Sequence, residues 1–277
     1  HTWGSDEVLF DDNQSQARMN EIRQKNGQGY RKISQACEKA LDRGYDHIWI
    51  DTCCIDKSSS AELSEALNSM FRWYKEASVC FAYLSDVSPQ PSGVVASLKQ
   101  SRWFTRGWTL QELLAPDEVE FVDQNWSPLG ERHSLASTIS EITGIEESFL
   151  LQPDPKKDRK ITTLLQRENV ATRMGWMAHR ETTRPEDMAY SLMGFFGINM
   201  PILYGEGNKA FLRLQEEVLK KSGDQSILVW RWPLSQKPEE TLHRVHFLAD
   251  SPANFNLRTY AGQEDSERFG IRLTDQG

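Results

Sequence analysis

The chain has 277 residues, 38% of them apolar, with 9 Trp and 12 Phe spread from end to end. Such a chain can bury a sizeable core, which excludes a disordered tail, and its length points to two domains rather than one. Lys plus Arg number 32 against 40 Asp plus Glu, a net charge of −8 with no basic stripe carrying interleaved aromatics, which argues against a nucleic-acid partner.

In chain order, "YRKISQACEKALDRGY" (30–45) places Ile33, Ala36, Cys37, Ala40 and Leu41 on one helical face, with Gly44 set to end the helix. "HIWIDTCCID" (47–56) alternates Ile48, Ile50 and Thr52 with Trp49 and Asp51 and predicts a strand, as does "SVCFAYLSDV" (78–87). Between them Leu63, Leu67, Met70 and Tyr74 recur at helical spacing, and Ser59 with Glu62 fits a capping box. "SRWFTRGWTLQELLAP" (101–116) reads as a helix stopped by Pro116, and "EVEFVDQNW" (118–126) alternates like a strand. Strands alternating with helices predict a parallel α/β sheet with right-handed crossovers.

After about residue 128 the texture changes. Polar "LLQPDPKKDRKI" (150–161) reads as a linker or surface loop. Helices are expected over "EDMAYSLMGFFGI", started by Thr183, Pro185 and Glu186, and over "NKAFLRLQEEVLKKSG" (208–223), which buries Phe211, Leu214 and Val218. "SILVWRW" (226–232), "HRVHFLAD" and "FGIRLTD" suggest strands near the end, and there are no internal repeats. The expected division is 1–128, 129–232 as a helical extension, and 233–277 as a β-containing segment.

No apolar run approaches the roughly 18–20 residues of a membrane span, and no secretory signal opens the sequence. A soluble, intracellular protein is expected, although the sequence begins at His1 without an initiator Met. Cys37, Cys53, Cys54 and Cys80 lack the spacing of a disulfide framework and suit a reducing compartment. There is no G-x-G-x-x-G, Walker A or H-E-x-x-H, and the glycines of "YGEGNK" (204–209) read as a turn before a helix. No Cys/His cluster has zinc spacing, and His243 and His246, three apart in an expected strand, would face opposite ways, so no metal is expected.

Three groups of residues raise the question of chemistry. Cys53 or Cys54 with His1 would make a Cys–His nucleophile, but burial of one thiol against the sheet is the better reading. Asp51 and Asp56 sit near the carboxyl end of the 47–56 strand, where open α/β sheets bind ligands, and each equally suits a cap of the following turn. Trp108 and Glu112, four apart, share a helix face while Leu110, Leu113 and Leu114 point elsewhere. A carboxylate beside an indole would line a cleft; on open surface it would pair with Arg102 or Arg106, and spacing leaves both open.

"HTWG" (1–4), "YDHIWIDTCCIDK" (45–57) and "SRWFTRGWTLQELLAP" (101–116), in that order, closely resemble the three signature blocks of the fungal heterokaryon incompatibility (HET) domain, and residues 174–220 resemble the extension that commonly follows it. The resemblance implies a module that triggers cell death when incompatible fungal cells fuse or a linked sensor is activated. It also implies a distant similarity to TIR domains, hence a flavodoxin-like, mostly parallel sheet with flanking helices and, in many of those domains, cleavage of NAD+. "WTLQEL" (108–113) then puts Glu112 where the TIR catalytic glutamate falls, with Thr109 where those domains often have cysteine. His1, Trp3, Gly4, Asp51, Cys54, Asp56, Arg106 and Trp108 would frame the nucleotide. NAD+ is then a substrate, no cofactor or membrane is involved, and a cytoplasmic homo-oligomer forms on activation, with a sensor as partner. The apolar strand such domains carry directly before the first block does not precede His1 here, so a sheet short of one strand is expected. The other readings are a non-catalytic death-signalling oligomerisation module and, last, a cysteine hydrolase.

Overall fold

The computed structural model describes residues 6–88, 93–152, 161–231 and 247–256. His1, Trp3, Gly4, His243 and His246, most of the 150–161 linker, the first half of the strand expected at 243–250 and all of that expected at 269–275 lie outside these residues, and 247–250 form no strand. No described helix is long and apolar enough to cross a membrane.

Three helices open the chain: α1 (Phe10–Asn13), α2 (Gln16–Lys25) and α3 (Gln28–Asp42). Ser15 caps α2 by accepting from Arg18 N–H, yet α2 buries no residue. Gly29, Lys32, Ala36 and Ala40 form the buried face of α3, so the face is rotated from the one expected and Leu41 is 64% exposed. The reason lies in ion pairing: Lys32 binds Glu7, and Lys39 and Arg43 reach Glu120 at 2.6 and 3.2 Å. Gly44, at φ +79°, ends the helix as expected.

Residues 47–50 join no ladder among the described residues, and 51–55 form turns, so the strand expected at 47–56 does not pair. α4 (Ser60–Glu76) follows, with Ser59 accepting from Glu62 N–H at 3.3 Å. The Glu62 carboxylate accepts from Asp56 N–H at 2.9 Å, which replaces the second half of the expected capping box. Ala66, Leu67 and Met70 are the buried face of α4.

The chain is mixed α/β with a small sheet of β1 (Cys80–Tyr83), β2 (Val119–Val122) and β3 (Pro128–Glu131), in that order. β1 and β2 are parallel, with Cys80 opposite Val119, while β2 and β3 are antiparallel, so this sheet is not mostly parallel. A parallel pair needs a crossover, supplied by α5 (Val94–Gln100), a 3-10 turn (Arg102–Thr105) and α6 (Thr109–Leu114). All four β2 residues are buried, including Glu120, which Lys39 of α3 and Arg43 just after it cover.

α7 (Ala136–Thr143), α8 (Ile161–Arg167), α9 (Val170–Gly175), α10 (Asp187–Tyr190), α11 (Met193–Phe196) and α12 (Lys209–Lys221) complete the fold. α12 buries Phe211, Leu214 and Val218 as its spacing predicts. Residues 225–228 are a 3-10 helix rather than a strand. The "YGEGNK" glycines make a turn, and the Glu186 carboxylate accepts from Gly205 N–H and Gly207 N–H at 2.8 and 2.9 Å, the position an anion would need in a phosphate loop.

One hydrophobic cluster runs from Cys80 to Phe255, and a satellite of Ile55, Ala66, Leu67 and Met70 sits beneath α4. α11 locks the two together. A Cβ on Gly194 would fall 2.2 Å from the Phe71 Cβ, so only glycine admits this approach. Asn68 adds paired bonds to the Met200 carbonyl and amide at 3.1 and 3.0 Å.

Candidate active site

The placement of Glu112 follows from the packing of its neighbours. Leu110, Leu113 and Leu114 are fully buried, and Trp103 and Phe104 pack edge-to-face and tilted against Phe121 at 5.4 and 5.8 Å. With those faces of α6 fixed in the core, the half-buried Glu112 turns toward α4 and β1. The Thr109 hydroxyl lies 2.6 and 2.8 Å from the Trp103 and Arg106 carbonyls and accepts from Arg180 Nη1 at 2.9 Å. Arg180 Nη1 also donates to the Arg106 carbonyl at 2.8 Å. Burial lowers the Arg180 guanidinium to about 9, against the pull of the Glu112 charge, so it stays a cation at neutral pH.

Glu112 opens into a cleft of about 470 Å³. Residues 47–51 form one wall, and the C-terminal end of α4 with β1 forms another. Trp49 packs on Trp73 and Tyr74 at 5.5 and 5.6 Å, and Trp126 stacks on Tyr83 at 5.1 Å, so aromatic faces border the space from two sides. Trp126 holds φ +63°, uncommon for a bulky residue. Its turn is built by Asp123, which accepts from Asn125 N–H and Ser127 N–H at 2.8 and 2.9 Å. β1 is the edge strand of the sheet, so the backbone groups on its outer side border the cleft instead of a described neighbouring strand.

The electrostatics centre on the acid. Burial, then the Glu112 and Asp51 charges and a hydrogen bond to Glu112, push the Tyr74 hydroxyl well up. Burial and the same Glu112 charge push the Cys80 thiol up, so both groups remain neutral beside the carboxylate. A negative oxygen flanked by aromatic faces and neutral hydroxyl and thiol groups can stabilise a cation developing in the cleft.

Of the residues singled out from sequence, Glu112 and Asp51 come together as lining of this cleft. Trp108 does not line it; its indole hydrogen-bonds Asp187, which also accepts from the Tyr204 hydroxyl at 2.9 Å. Arg106 takes part through its backbone, bridging Glu181 and accepting from Arg180. Asp56 lies away from the lining and accepts from Ser58 N–H and Oγ at 2.9 and 2.6 Å, the capping arrangement. Cys54 is exposed on the 51–55 turn, and the thiol of Cys53 is buried. Tyr74, Trp126 and Arg180 are the site neighbours sequence reading missed. The Asp123–Asn125 pair before Trp126 is a turn signal that marks where the strand must end.

Residues 1–94 match the family model described as heterokaryon incompatibility protein (HET), and residues 209–269 match a domain of unknown function, DUF8212. The chain is similar to the vegetative incompatibility protein HET-E-1 of Podospora anserina, 44% identical over 233 residues, which is 80% of this chain and 16% of that relative. The chain thus spans about a sixth of that relative's length. No solved structure matches it significantly. With the family match covering the first two signature blocks and the long alignment carrying the similarity well beyond them, the chain belongs to the fungal heterokaryon incompatibility (HET) domain proteins.

Proposed function

We propose that this chain is a cell-death effector of fungal heterokaryon incompatibility and that it acts by cleaving the nicotinamide–ribose bond of NAD+, with Glu112 as the stabilising carboxylate in a TIR-like α/β core. The observation that carries the reading is the convergence of Glu112 and Asp51 in one aromatic-walled cleft. The nicotinamide C–N bond breaks with its electron pair leaving on the ring nitrogen, so nicotinamide departs neutral and needs no general acid. The ribose carbon becomes oxocarbenium-like, Glu112 stabilises that charge and holds ribose hydroxyls, and water adds at the carbon and sheds a proton. Flat faces such as Trp49 and Trp126 suit the nicotinamide and adenine rings.

In this reading the protein works in the cytoplasm as a homo-oligomer assembled when a sensor protein or domain is engaged. A second reading, a non-catalytic oligomerisation module, is favoured by one feature: among the described residues β1 pairs with no strand on its outer side, where another chain could add one. Purified protein incubated with NAD+ distinguishes the two. Nicotinamide release should fall at least ~100-fold in Glu112→Gln, on the scale of losing one transition-state contact. Equal release by wild type and variant removes Glu112 from the chemistry. Cell killing with undiminished NAD+, abolished by blocking self-association, selects the module.

A further inference from the structure

Beside the cleft, the chain folds back over Ile50 so tightly that Cys53 N–H and Cys54 N–H both donate to the Ile50 carbonyl, at 3.3 and 2.9 Å. The turn brings the Cys54 sulfur 3.4 Å from Ile50 N–H, which donates to it. Cys53 is 6% exposed, and its thiol donates to the same Ile50 carbonyl at 3.9 Å. Cys54 itself is exposed. The pair is therefore an exposed cysteine whose sulfur receives a backbone donor, next to a buried cysteine folded over the same Ile50 carbonyl. A thiolate is the form that such a donor stabilises, and accessibility is the other requirement of a reactive cysteine.

We propose that Cys54 is a peroxide-reactive thiol and Cys53 its resolving partner, making this pair an oxidation site on the turn that ends one wall of the cleft. The Cys54 thiolate attacks one peroxide oxygen; the O–O bond breaks, an S–O bond forms, and the departing hydroxide takes a proton to become water. Cys53 then attacks the sulfenic sulfur, the S–O bond breaks as a second water leaves with the Cys53 proton, and the two sulfurs join. Two electrons pass from the thiols to the peroxide.

Chemistry at the neighbouring positions agrees. The neighbouring Cys53 thiol, opposed by burial and aided by Ile50 N–H, lowers the Cys54 thiol, while Cys54 and burial raise Cys53. Cys37 is raised by burial, which leaves it the slower thiol. Adjacent residues have Cα atoms roughly 3.8 Å apart across a trans peptide, below the roughly 4.4–6.8 Å usual for a disulfide. The linked form is therefore strained and easily reduced, the property of a regulatory bond rather than a structural one. Closing the ring must also disturb the two bonds to the Ile50 carbonyl, and residues 48–51 line the cleft.

The proposal does not depend on what the cleft binds, and its test reads sulfur chemistry directly. Full chain treated with dilute hydrogen peroxide should lose two hydrogen atoms by intact mass, with peptide mapping placing the link between Cys53 and Cys54. In Cys53→Ser the reaction should stop at a sulfenic acid on Cys54 that dimedone traps. On untreated wild type at neutral pH, iodoacetamide should label Cys54 at least ~10-fold faster than Cys37, through its larger thiolate fraction. Equal labelling of Cys54 and Cys37, oxidation undiminished in Cys54→Ser, or a Cys37–Cys54 link in the wild type would each overturn it. Because the labelling comparison uses the wild type, the proposal stays falsifiable if a variant fails to fold.

Discussion

The two walls of the cleft belong to regions held together in different ways. β1 and α6 sit in the main hydrophobic cluster, where Leu84, Leu98, Leu110, Leu113 and Phe121 are all fully buried. The wall of residues 47–51 is held instead through Trp49, packed on Trp73 and Tyr74 of α4, and follows α3, whose buried face is Gly29, Lys32, Ala36 and Ala40 and which reaches β2 through the ion pairs of Lys39 and Arg43 with Glu120. Apolar burial is non-directional and cumulative, whereas a few ion pairs fix a position without supplying much net stability. The contrast teaches that the acid in the cleft is on the rigid side and that the other wall is the one conditions can move.

The largest test of this division is at Arg180, the buried cation that ties "TLQEL" to the extension through the Thr109 hydroxyl and the Arg106 carbonyl. Arg180→Met removes both bonds and the charge opposite Glu112, a loss of about 3–5 kcal/mol on the scale of breaking a buried polar network. For a chain of this size the melting temperature should fall by on the order of 10 °C, in one cooperative transition. A fall of a degree or two would mean that Arg180 is not a joint of the main core.

Glu120→Gln probes the other region. Its carboxylate receives Lys39 at 2.6 Å and Arg43 at 3.2 Å, and the amide would keep the shape while weakening both. The expected cost is about 1.5–3 kcal/mol, the usual range for bonds to a charged group. Hydrogen exchange should quicken in α3 and residues 47–50 before it changes in α6 or β2. Uniform faster exchange across all of them would erase the distinction between the walls.

The sequence is most readable where one physical rule acts alone. α4 and α12 follow from apolar spacing and β1 and β2 from dense runs, whereas the helix expected over 101–116 is split into a 3-10 turn at 102–105 and α6, of which only the end before Pro116 is legible. It misleads where a partner decides. "HIWI" has the alternation of a strand, yet a strand needs a neighbour to pair with, and the cleft separates these residues from β1. The alternation of "EVEFV" marks a strand but does not say that cations nearly eighty residues upstream bury Glu120. Within the site, spacing alone gave Glu112 a face shared with Trp108. Only the fold shows that the indole turns to Asp187 while the acid turns to Tyr74. Arg180 and Trp126 carry no local pattern that points to the cleft, since one arrives from the extension and the other depends on a single residue at positive φ.

The smallest expected effect is at Leu41, and it tests the orientation of α3 directly. Periodicity assigns Leu41 to the buried face with Ala36 and Ala40, whereas the structure leaves it 64% exposed and buries Lys32 in its stead. Leu41→Lys should change stability by no more than about 0.5 kcal/mol, as for an ordinary surface exchange. Ala36→Lys, at a residue 2% exposed on the cleft side of the same helix, should destabilise by well over 1 kcal/mol because a long charged side chain would have to leave water at a tightly buried position. Chemical denaturation of both variants at equal protein concentration makes the comparison. If Leu41→Lys proves the more damaging, α3 is turned as the apolar spacing predicts. The ionic attachment of α3, and with it the difference between the two sides of the cleft, would then fall together.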